Sequence, residues 1–124
     1  MAMTEQTRAY FDAHFAPETE QLWANDKEFA ERFAEFALNE VVSQNQLDEK
    51  TRFLAILAPL LGCQGVDAFR VMLPAALKAG VTPVEAKEVV YQATAYLGMG
   101  RVFPFLQATN DVLTQEGITL PLPP

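Results

Sequence analysis

Residues 73–106 read LPAALKAGVTPVEAKEVVYQATAYLGMGRVFPFL, and their middle holds the clearest local signal in the chain. Thr82 offers a hydroxyl to the free N–H groups of a helix start. Pro83 takes the first helical position, where no N–H is needed, and Glu85 folds back onto the cap. Just upstream, Gly80 stands where a left-handed residue ends a helix. Ala86, Val89, Val90, Ala93 and Leu97 then recur on one helical face, until Gly98-Met99-Gly100 breaks the pattern. The stretch reads as the end of one helix, the whole of a second and the start of a third.

Downstream, a last helix is predicted from about Val102 to Glu116, with Phe105, Leu106, Thr109, Val112 and Leu113 facing inward and Gly117 ending it. Residues 117–124 form an extended tail with polyproline character, read as a frayed end or as an arm laid on a partner subunit. Upstream of Gly80, Phe69, Met72, Leu73, Ala76 and Leu77 make the apolar stripe of another helix. Before it, Asp48 caps a helix to about Leu61 whose Phe53, Leu54, Ile56, Leu57, Leu60 and Leu61 leave no polar face. A helix apolar all round is covered on every side, by its own chain or by a neighbouring subunit. Pro59 removes one backbone donor near its end and predicts a kink.

From Asp26, a plausible N-cap, Phe29, Phe33, Phe36, Ala37 and Val41 lie on one face and Lys27, Glu28, Glu31, Arg32 and Glu35 on the other; Ser43-Gln44-Asn45-Gln46 ends this helix. Residues 4–14 form a short, mobile helix stopped by Pro17, with Glu18 or Thr19 opening the next segment. Sustained alternation and hairpin turns are missing, so the fold class is all-α: a single-domain bundle of about six helices over residues 1–124. Residues 1–16 read as an N-terminal extension.

Half of the 124 residues are apolar, enough for a small core that such chains often complete by oligomerising. Nine basic residues are scattered among sixteen acids, for a net charge of −7. That balance argues against nucleic acid and anionic membranes as partners. The longest apolar run, Phe53 to Leu61, falls far short of the ~20 residues of a membrane helix. A single cysteine closes no intramolecular disulfide, and the N-terminus lacks the blocks of a signal peptide. A reducing cytoplasm is the implied setting.

LDEKTRFLAILAPLLGC (47–63) followed by the 73–106 stretch resembles the carboxymuconolactone decarboxylase family, which includes the alkylhydroperoxidase D branch. The likeness rests on the order and spacing of Leu-Asp-x-x-Thr-Arg, an apolar helix, Ala-Leu-x-x-Gly, Thr-x-x-Glu and Tyr-x-Gly, and covers about residues 27–116. It implies an all-α fold, homo-oligomers (trimers or hexamers) and active sites near subunit contacts. It also implies, in the peroxidase branch, a Glu, a Cys-x-x-Cys and a His. Aligned on Ala76–Gly80, those positions hold Phe53, Gly65, Ala68 and Met72. Sliding the register by two residues recovers Cys63 alone, so the family's catalytic groups are not retained.

The residues themselves leave three readings. Decarboxylation of a carboxylated lactone needs a cation to hold a carboxylate and a developing enolate, and a donor to quench the carbanion. Arg70, Arg101 or Arg52 fits the first role; Asp67, Tyr91, Tyr96 or Cys63 fits the second. On this reading Cys63, Asp67, Arg70 and Tyr96 are catalytic, Arg101 and Tyr91 bind a small-molecule substrate, and no cofactor is used. In the second reading Cys63 is the single working thiol of a peroxidase, with Arg70 favouring thiolate and an outside thiol resolving it. In the third the chain is a non-catalytic helical oligomer that binds a ligand.

Each residue also has a plainer role. Cys63 reads as a small buried apolar residue, Asp67 and Arg70 as a surface pair three apart, and Tyr96 as a core-edge residue with its hydroxyl in solvent. Arg101 reads as a surface residue of the last helix's first turn, Arg52 as a tie between helices, and His14 as a lone exposed histidine. Metal binding is unsupported by any ligand-spaced cluster.

Overall fold

The structure is a computed structural model that describes residues 3–43 and 46–124. Among the described residues it is helical throughout, without strands. The chain divides into two compact units, residues 1–47 and 48–124.

The first unit holds α1 (Glu5–Phe15), α2 (Glu20–Asn25), α3 (Lys27–Glu35), a π-helical turn (Phe36–Glu40) and α4 (Val41–Ser43). Thr4 caps α1 by accepting from the Thr7 N–H at 3.2 Å, and Phe11 and Phe15 are buried, with Phe11 edge-on to Trp23 at 4.8 Å. Thr19 stands at the N-cap of α2, but its hydroxyl donates back to the Phe15 carbonyl. Asp26 occupies the N-cap of α3 without a side-chain bond, so the predicted cap is positional only. The predicted end at Ser43–Gln46 lies partly outside the described residues.

The amphipathic pattern of α3 is inverted relative to burial. Phe29, Phe33 and Phe36 are more than half exposed, while Ala30, Ala34 and Glu35 are covered. The small side chains let α3 approach α1 and α2 closely, and the aromatic stripe points outward. Glu35 is covered because it is used: it accepts from the Thr4 N–H at 3.0 Å and from the Asn39 amide. These bonds hold its carboxyl below the usual range, the Thr4 backbone donor being the largest cause.

The second unit packs α5 (Glu49–Gly62), α6 (Val66–Lys78), α7 (Pro83–Leu97) and α8 (Met99–Gln115). α5 and α8 each pack against both α6 and α7. Phe53, Leu57, Leu61, Phe69, Leu73, Val90, Phe105 and Leu113 are sealed inside, with Phe69 and Phe105 edge-to-face at 5.2 Å. Asp48 caps α5, accepting from the Thr51 N–H at 2.7 Å. The helix runs on through Pro59 to Gly62.

The local signals of residues 73–106 stand as read. Thr82 and Glu85 exchange both capping-box bonds, at 3.1 and 2.9 Å. Gly80, at φ +106°, closes α6 with the paired bonds of a Schellman motif, Val81 to Ala76 and Gly80 to Leu77. Gly98, at φ +89°, is the whole connection between α7 and α8, a conformation few other residues adopt. α8 therefore begins at Met99, three residues before the predicted start, because its first turn needs no cap other than Gly98.

Candidate functional site

α5 and α7 lie side by side in the same direction. Lys50 Nζ meets Glu85 Oε2 at 2.6 Å across their first turns. Farther along, Leu54 and Ala58 of α5 share a groove with Val89, Ala93 and Tyr96 of α7. α5 has 14 residues and α7 has 15; Cys63 is the C-cap of one and Gly98 of the other.

Several of the predicted site residues lie at or next to helix ends along the chain. Cys63 is free and exposed rather than buried, which corrects the plainer reading of it. Its thiol reaches back toward the Leu60 carbonyl at 3.7 Å. A Cβ on Gly65 would meet its Sγ at 3.3 Å, so glycine at the start of α6 gives the sulfur room. Tyr96 in the last turn of α7 is 88% exposed, and Arg101 in the first turn of α8 is exposed. Asp67, in the first turn of α6, is also exposed.

The other two candidates are Arg70 and Tyr91. Arg70 donates to Asp111 of α8 at 3.0 Å instead of pairing with Asp67, so the expected local pair is replaced by a tie between helices. Tyr91 is half exposed and is absent from the lining of the groove. Arg52 is mostly covered and donates to Glu49 at 3.1 Å. His14 is half-buried rather than exposed, stacked on Tyr10 with ring centres 4.2 Å apart.

The groove between α5 and α7 has a volume of about 500 Å³. Its floor is Leu54, Ala58, Val89 and Ala93, and Tyr96 stands at one end. At the other end Glu85 is held below the usual carboxylate range, first by its bond from Lys50 and then by the Thr82 N–H. Glu88, on the rim, accepts from Gln92 at 3.1 Å. The sequence reading missed this groove, although the spacing of Glu85, Val89, Gln92 and Tyr96 at i, i+4, i+7 and i+11 marks one face of α7. Among the described residues no three His, Cys, Asp or Glu side chains form a group that could hold a metal ion. Nor is any described helix long and apolar enough to cross a membrane.

The chain matches the model of the carboxymuconolactone decarboxylase family over residues 27–111 and belongs to that family, in keeping with its all-helical build. It is 28% identical over 113 residues to a protein of Acinetobacter baylyi described as 4-carboxymuconolactone decarboxylase, a match that spans 91% of this chain and 84% of that one.

Proposed function

We propose that the protein is a cofactor-free lyase that decarboxylates a small carboxylated lactone or carbonyl compound at the end where α5 and α7 finish. The observation that carries this reading is the likeness to a 4-carboxymuconolactone decarboxylase along nearly the whole chain. The exposed Arg101 and Tyr96 support the location. Arg101 holds the oxygen on which negative charge develops. The bond to the carboxyl carbon breaks and carbon dioxide leaves. The electron pair passes into the adjacent carbonyl system as an enolate, and the Tyr96 hydroxyl returns a proton to carbon. Asp67 and Cys63, both exposed, are further candidate proton carriers. Arg70, engaged by Asp111, is the weaker candidate for the cation.

The test is carbon dioxide release from carboxylated lactones by the wild-type chain, Arg101→Met and Tyr96→Phe. Turnover that falls by about a hundredfold in each variant supports the assignment, since a positioned acid or charge contributes on that order. No release from any such substrate sinks the lyase reading; release unchanged in both variants moves the site elsewhere.

The exposure of Cys63 favours a second reading, a one-cysteine peroxidase. Its thiolate attacks a hydroperoxide, the O–O bond breaks, an alcohol leaves, and the resulting sulfenic acid is reduced by an external thiol. Peroxide consumption that persists in Cys63→Ser removes that reading.

A further inference from the structure

We infer that a cleft between α1 and α3, within the first unit, binds a small zwitterion with the chemistry of a free α-amino acid. The cleft has a volume of about 470 Å³, and its charged walls are Glu5, Arg8 and Asp12 of α1 with Lys27 and Glu31 of α3. The first three recur at i, i+3 and i+7 and the last two at i and i+4, so each set shares one face of its helix. α1 precedes the residues that the family model matches, so half of the cleft is an addition to the family's part of the chain.

The walls carry both signs, and their charges are largely unspent on one another. Arg8 is held from two sides: its Nε donates to Asp12 at 3.3 Å, and its guanidinium lies 4.8 Å over the Trp23 ring. A guanidinium has five N–H donors, so the Nη groups are left for a ligand. Lys27 and Glu31 stand one turn apart, where opposite charges ordinarily pair. Here they do not. Among the described residues, Lys27 has no acid, and neither Glu5 nor Glu31 has a cation, within ion-pair distance. Glu31 instead accepts the Met3 N–H at 3.4 Å, through one of its two oxygens. An anion alone would meet Glu5 and Glu31, and a cation alone would meet Lys27 and Arg8; a molecule carrying both charges finds a partner for each. Positions four apart on a helix are separated by about 6 Å of rise. The adjacent ammonium and carboxylate of an α-amino acid can therefore bridge Glu31 and Lys27. On the α1 side Arg8 donates and Asp12 accepts, a combination that a side-chain amide satisfies.

The probes are L-glutamine, which carries both charges and a side-chain amide, N-acetyl-L-glutamine, which lacks the ammonium, and the α-amide of L-glutamine, which lacks the carboxylate. Each is titrated into the full chain and followed by calorimetry and by the emission of Trp23. That residue is the only tryptophan of the chain, and it reports on the Arg8 guanidinium above it. L-Glutamine is expected to bind saturably at about millimolar concentration, and each single-charge probe about fivefold more weakly or worse. Lys27→Met and Glu31→Gln are each expected to weaken L-glutamine binding about fivefold, with circular dichroism unchanged. Lys27 is exposed at the first position of α3, and Glu31→Gln keeps an oxygen for the Met3 N–H, so neither change removes a structural contact. The absence of any saturable heat or emission change overturns the inference. So does equal binding of the three probes, or unchanged affinity in both variants. Carbon dioxide release enters none of these readouts, so failure here leaves the lyase reading standing.

Discussion

Lys50 and Glu85 meet at 2.6 Å across the first turns of α5 and α7. Glu85 also closes the capping box on Thr82, accepting from its N–H at 2.9 Å. One carboxylate therefore starts α7 and ties it to α5.

The pairing makes stability depend on pH in a defined direction. Glu85 in the folded chain sits below its ordinary carboxylate range, with the Lys50 bond the largest cause. The unfolded chain binds the proton first as pH falls, so stability drops with acidification. The contribution is fully present above the ordinary carboxylate range and is lost as pH falls through the lowered folded value. Urea unfolding as a function of pH should show this loss in wild type and a flatter profile over that window in Glu85→Gln. Equal profiles would mean that Lys50 and Glu85 do not interact in solution. Added salt should weaken the pair, because both side chains are partly exposed.

The outward stripe of α3 gives a contrast between adjacent residues. Phe33 is more than half exposed and Ala34 fully buried. Serine and phenylalanine have similar helix propensity, so Phe33→Ser should cost about 1 kcal/mol or less. Ala34→Leu forces extra volume into a closed contact and should cost about 1–3 kcal/mol. Denaturant midpoints measure both, and the reverse order would show that the aromatic face is the covered one.

That contrast also marks what the sequence disclosed. Helix starts and stops were legible because they are local: Asp48, Thr82, Glu85 and Gly80 bond within a few residues of themselves. Periodicity showed which residues of α3 share a face, but not that Ala30 and Ala34 would be the covered ones. Arg70 and Asp111 are 41 residues apart, and no local pattern announces a pair across that distance. The default three-residue pairing with Asp67 was therefore the natural reading. Cys63 departed from the usual burial of free cysteines because it caps a helix, where the backbone turns toward solvent. The glycine break that singles out Tyr96 and Arg101 as candidates is a one-residue connection.

Exposure of the thiol sets a second chemical expectation. Cys63 is free and exposed, so a thiol reagent should label it fully in the native state without denaturant. Cys63→Ser should change stability by about 0.5 kcal/mol or less, as surface substitutions usually do. Labelling that requires unfolding would show the sulfur to be covered in solution.

Two of the three arginines offered by the sequence, Arg70 and Arg101, now separate. Arg70 is held by Asp111, and both side chains are well exposed, so their tie contributes about 1 kcal/mol or less. Arg70→Met should lower stability slightly and leave carbon dioxide release within about threefold of wild type, less than the ~1.4 kcal/mol that a tenfold change represents. Arg101 has no acid within ion-pair distance among the described residues, so its guanidinium is available to a substrate carboxylate. Arg101→Met should reduce release far more than Arg70→Met, and Arg101→Lys should recover part of it by restoring charge without the planar fork. The comparison is made on kcat/KM, where loss of a group that stabilises the charge developing on the enolate is read directly. Should Arg70→Met prove the more damaging change, the reacting end belongs to α6 and α8 rather than to the junction of α7 with α8.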